Sequence, residues 1–158
     1  MNRRHLLRTV ALVPVAALVA CNAANIQTVT KAVVNDVSLI ASGLQGALPQ
    51  FATVTGISTA QLATITGEVN AIVIAAGQVV EGIAANLAQP IVQQIGADFS
   101  TLQSAAAGLN LPDVLKTILA AAQVLLPVIE TAVGIFVAAA PAGGMTPARA
   151  RAVLAAVR

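Results

Sequence analysis

The sequence predicts an all-α protein: an antiparallel bundle of about four helices plus a short C-terminal helix. Three observations carry that expectation. Apolar residues recur every three or four positions through long stretches, Gly, Pro and Ser/Thr/Asn signals divide those stretches, and no segment alternates with the period of two that a half-buried strand needs. Ala, Val, Leu and Ile make up most of a chain that is 58% hydrophobic and 2% aromatic, so helix formation is favoured by Ala and Leu. The many Val, Thr and Gly residues weaken each helix and leave tertiary packing to hold it.

The elements follow in order. Residues 22–25 read as a short tether. From Ile26 an apolar stripe runs through Val29, Val33, Val37, Ile40 and Leu44, while Lys31, Asn35, Ser38, Ser42 and Gln45 keep the same rhythm on another face. Gly46 and Pro49 are expected to end this first helix, with Phe51 to Gly56 as a loop. Ser58 and Gln61 have the spacing of a capping box and open a second helix, whose stripe is Leu62, Ile65, Val69, Ile72, Ala76, Val79 and Ile83. Gly67, Ala71 and Ala75 form a small-residue stripe on it, which reads as composition rather than as an interface.

Pro90 kinks or restarts the helix, and Ile91, Ile95, Phe99, Leu102 and Ala106 carry an apolar face to Gly108. Asp98 could cap a restart after Gly96. Asn110-Leu111-Pro112-Asp113 is a helix start, with Pro in the first turn and an acid against the positive end of the helix dipole. A very apolar helix is expected from Val114 to about Ala140, kinked at Pro127. Pro141 to Met145 reads as a flexible break, and Thr146-Pro147 opens a short helix bearing Arg149, Arg151 and Arg158.

The domain organisation is expected to be a signal peptide over 1–20, a lipid-tethered bundle over 21–140, and the break with its basic helix over 141–158. The first segment has a basic head, Arg3, Arg4, His5 and Arg8, and then an apolar stretch from Val10 to Ala20. Eleven residues at about 1.5 Å each reach roughly 16 Å, about half a bilayer's hydrocarbon core, and Pro14 interrupts them. The stretch closes in Leu18-Val19-Ala20-Cys21, which resembles the lipobox of bacterial lipoproteins, and Cys21 is the chain's sole cysteine. The resemblance implies cleavage before Cys21, lipid on its sulfur, and residence at a cell-envelope membrane, on the periplasmic or outer-membrane face in a Gram-negative host. An ordinary signal peptide cut after Ala23 or Ala24 is the alternative. Arg3-Arg4-His5-Leu6-Leu7 is similar to a twin-arginine export head, with Asn2 in place of the usual Ser or Thr.

Removing 1–20 leaves Lys31, Lys116, Arg149, Arg151 and Arg158 against Asp36, Glu68, Glu81, Asp98, Asp113 and Glu130, a net charge of −1. Without clustered Lys and Arg, nucleic acid is not an expected partner. The remaining chain has no histidine, no Gly-x-Ser-x-Gly elbow and no phosphate-cradling glycine loop, and Thr28 to Lys31 merely approximates a Ser-x-x-Lys spacing. Glu68 and Glu81 share a helix about 20 Å apart, too far for paired carboxylates. No catalytic residue, metal site or cofactor is expected.

Lys116, Gln123 and Glu130, seven apart, form a polar stripe on the apolar fourth helix, read first as a solvated strip and otherwise as a polar seam in a membrane oligomer. The terminal arginines read as the wet face of a marginal helix, or as a holder for an anionic headgroup or cell-wall polymer. The expected function is non-enzymatic: a structural or interaction bundle tethered by acylated Cys21, with an envelope protein or a second copy as partner. One rival is a holin-like or pore-forming protein that inserts 114–140, against which Lys116, Gln123 and Glu130 count. Another is a prophage-borne envelope protein acting in phage exclusion, a role that no residue specifies.

Overall fold

The computed structural model describes residues 22–84, 88–134 and 144–157, and they form five helices and no strand: α1 Asn22–Phe51, α2 Thr59–Ala84, α3 Ala88–Ala106, α4 Asp113–Ala132 and α5 Pro147–Ala155. The all-helical class is as the periodicity predicts. α1 packs against α2, α4 and α5, α3 is held between α2 and α4, and α5 touches α1 and α4.

The expected stripes supply the core. Val33, Val37, Ile40 and Leu44 of α1, Ile65, Val69, Ile72 and Val79 of α2, and Ile95, Phe99 and Leu102 of α3 are buried in one shared cluster. α4 adds Leu115, Ile118, Leu125 and Ile129, and α5 adds Ala150 and Leu154. At roughly 1.5–3 kcal/mol for each fully buried large aliphatic side chain, this shared core is what stabilises helices whose own propensity is modest.

Several helix ends are where local chemistry puts them. The Ser58 backbone N–H donates to Gln61 Oε1 at 3.0 Å and the Gln61 N–H donates to Ser58 Oγ at 3.1 Å, the reciprocal capping box that opens α2. Pro112 and Asp113 open α4, and the Thr146 hydroxyl accepts from the Arg149 N–H with Pro147 in the first turn of α5. Gly108 follows α3 with φ +80, a left-handed conformation that stops the helix.

Other ends differ from expectation. α1 begins at Asn22, so residues 22–25 are helical and not an extended tether, and it continues through Gly46 and Pro49 to Phe51. Proline lacks an N–H for the carbonyl one turn back, which here is that of exposed Gln45, where water can serve it. Phe51 is fully buried, and its burial holds the last turn onto the core. α3 is continuous from Ala88, with Pro90 in its first turn and Asp98 inside it, so Asp98 caps no restart. α4 ends at Ala132, well short of Ala140: the Val133 N–H returns to Ile129 O, the Gly134 N–H to Thr131 O, and Gly134 takes φ +84. Pro127 lies inside α4. On α2, a Cβ built on Gly67 meets nothing within 4 Å, so the small-residue stripe seats no helix there.

Candidate functional site

The lipidation and export residues, Cys21 with Arg3, Arg4, Leu18, Val19 and Ala20, lie outside the described residues. Asn22, which follows Cys21 directly, is the first residue of α1.

The polar stripe on α4 does not converge on one site. Lys116 is exposed and pairs with exposed Asp113 at 3.4 Å, one turn back on its own helix. Gln123 is exposed and borders a hollow of about 140 Å³ between Gly96, Ser100 and Gln103 of α3 and Leu126 and Pro127 of α4. Glu130 is half-buried, and burial raises its carboxyl above the ordinary 4.5. Its Oε1 stands 3.0 Å from where a Cβ on Gly96 would be, so the glycine makes room for this carboxylate. Lys116 and Gln123 are thus exposed, whereas Glu130 lies against α3.

The described residues do hold one built polar arrangement, and it joins two ends of the chain. Asp36 on α1 is buried, and Arg151 on α5 grips it with two parallel bonds: Nε donates to Oδ1 and Nη2 donates to Oδ2, both at 2.6 Å. This is a two-pronged guanidinium–carboxylate pair, among the strongest hydrogen-bonded arrangements available to side chains. Its bonds to Asp36 raise the Arg151 guanidinium above its ordinary value, against the opposing effect of desolvation, with charge attraction adding to the rise. An open hollow of about 540 Å³ lies beside the pair, bordered by Ala32, Asn35, Ser38 and Leu39.

Backbone fit supports the pair. A Cβ on Gly43 would lie 2.6 Å from Leu154 Cδ2 and 3.3 Å from Leu154 Cβ, and one on Gly46 would lie 2.5 Å from the Val157 carbonyl oxygen. Residues 36, 43 and 46 of α1 thus meet Arg151 and Leu154 of α5 and Val157 just beyond its end, in ascending order, so α5 runs alongside α1 in the same direction. α5 is seated by a glycine floor at one end and an ion pair at the other.

Sequence reasoning placed Arg151 on a wet face with the other arginines; Arg149 is exposed, Arg151 is committed to Asp36, and Arg158 lies outside the described residues. Asp36 was missed altogether. The signal was its position: it sits among Val33, Val37 and Ile40, a charge on an apolar stripe, which requires a partner. Asp98, the other buried acid, accepts from Gln94 Nε2 at 2.6 Å on its own helix. Among the described residues, no three of His, Cys, Asp and Glu come together in a way that could hold a metal, and every buried side-chain nitrogen or oxygen has a hydrogen-bond partner. The arrangement around Asp36 can fasten helices and bind charge.

Compared with protein-family models, curated proteins and solved structures, the chain matches no family, no curated protein and no solved structure.

Proposed function

We propose that the chain is an exported, non-enzymatic envelope protein, a helical bundle tethered to a membrane by lipid on Cys21. The observation that carries this reading is the coincidence of the sole cysteine with the end of Leu18-Val19-Ala20-Cys21, after a basic head and an apolar stretch too short to span. Acylation contributes about 0.8 kcal/mol per buried methylene, so several chains hold the protein at the bilayer.

The body is proposed to be an antiparallel four-helix bundle, with α5 laid over it. Two facts support this: consecutive helices touch, with α4 returning to α1, and short segments, 52–58 and 107–112, separate α1 from α2 and α3 from α4. The proposed role is structural or adhesive, with an envelope protein or a second copy as partner, and with no nucleic acid involved.

A membrane-inserting reading is favoured by one observation. Thr59–Val79 and Asp113–Ala132 are long and apolar enough to cross a bilayer, with mean hydropathies of 1.4 and 1.6. Core helices pass the same test, and α4 buries Leu115, Ile118, Leu119, Leu125, Leu126 and Ile129 within the fold.

Intact-mass analysis of the wild type and Cys21→Ser, expressed in a bacterium and partitioned between membrane and soluble fractions, separates these readings. A lipid-sized mass and membrane residence, both lost in Cys21→Ser, are expected. A wild type cut after Ala23 or Ala24 without added mass overturns the anchor, and a Cys21→Ser protein that stays embedded favours insertion.

A further inference from the structure

We infer that α5 is a strap that seats and unseats on the rest of the molecule as one unit, with the Arg151–Asp36 pair as its latch. α5 has nine residues, fewer than a helix needs to persist alone in water, so its folding and its seating are one event. It buries Ala150 and Leu154 fully, and among the described helices it touches α1 and α4 and neither α2 nor α3. Ile65, Ile72, Ile95 and Leu102, all fully buried on α2 and α3, therefore belong to a part of the core that α5 does not cover.

The latch is open to the surroundings on one side only. The Asp36 side chain is 5% exposed and that of Arg151 is 40% exposed, so ions reach the guanidinium while the carboxylate stays enclosed. Unseating α5 withdraws the guanidinium and uncovers a trough on α1, floored by Gly43 and Gly46 and headed by the Asp36 carboxylate. Short elements at the edge of a core open below the global unfolding transition, and α5 joins the core through two fully buried side chains, Ala150 and Leu154. The seat thus gives the molecule two states that differ at one surface.

Amide hydrogen exchange on the full chain tests this. The α5 amides 150–156 are expected to lose protection together, at least about tenfold sooner than those of Ile65, Ile72 and Leu102. Arg151→Gln removes the latch from the seated state and should speed exchange of the α5 amides by about tenfold, with the α2 and α3 core speeding by no more than that factor so that the gap persists, and Arg151→Lys should fall between. In the wild type, exchange of α5 at the rate of the α2 and α3 core overturns the proposal, even should Arg151→Gln fail to fold. So does a folded Arg151→Gln protein in which the α5 amides exchange no faster than in the wild type.

Discussion

The seam between α1 and α5 and the seam between α3 and α4 both contain glycine, and they use it in opposite ways. Gly43 and Gly46 face Leu154 and the Val157 backbone, and the missing Cβ atoms let α5 sink until side chain and main chain touch α1. Gly96 faces the end of Glu130, a flexible carboxylate, and a hollow bordered by Ser100, Gln103 and Gln123 opens along the same seam. Gly67 and Gly77 face nothing within 4 Å. A helical glycine marks close approach where the opposite partner is main chain or a packed side chain that uses the space.

The largest effect that would break this contrast comes from Leu154→Ala. Truncating a fully buried leucine should weaken the α5 seat by about 2–4 kcal/mol, read from exchange of the α5 amides. The ion pair should then show an asymmetry. Arg151→Ala strands an enclosed carboxylate and should cost roughly 2 kcal/mol, whereas Asp36→Ala releases an arginine that can turn to water and should cost about half as much, by urea denaturation of each variant. An equal cost for the two would show that Asp36 is better hydrated than its burial indicates.

Smaller substitutions sharpen the comparison by sign. Gly43→Ala should destabilise by about 1–2 kcal/mol, because Leu154 Cδ2 at 2.6 Å and Cβ at 3.3 Å crowd the added methyl and the buried leucine must move off its seat. Gly67→Ala, in open space within α2, should stabilise by about 0.5–1 kcal/mol through the loss of chain entropy in the unfolded state. Thermal midpoints of the two variants should move in opposite directions. Glu130→Gln should give the smallest change. Burial raises the folded-state carboxyl, so the native form favours the protonated group, and stability is lost as pH rises through that raised value. The variant should gain under about 0.5 kcal/mol at pH 7, given the screening of a half-exposed group, and the gain should vanish below about pH 4. Stability curves at the two pH values check it.

Local chemistry made much of the fold legible. The Ser58–Gln61 box, the Pro112–Asp113 start, the Thr146 cap and the stop at Gly108 each act within a few residues, and the sequence displays them directly. The misplaced ends are those that distant packing decides. Phe51 holds α1 together past Pro49 because it is buried, and burial is not a local property. Gly134 stops α4 within a run that looks like continuous helix, because a single glycine gives no sign beforehand of taking a positive φ. The Asp36–Arg151 pair was illegible for the same reason: 115 residues separate the partners, and only the folded chain brings α5 back along α1.

The shared direction of α1 and α5 bears on how the molecule can be displayed and labelled. Where α5 ends, Val157 lies beside Gly46, 24 residues along α1 from Asn22, a rise of about 36 Å at 1.5 Å per residue. In a chain held at Cys21, a fluorophore or epitope joined beyond Val157 would emerge at the far side of the molecule from the anchor. It would report on what approaches from outside and be insensitive to the bilayer beneath.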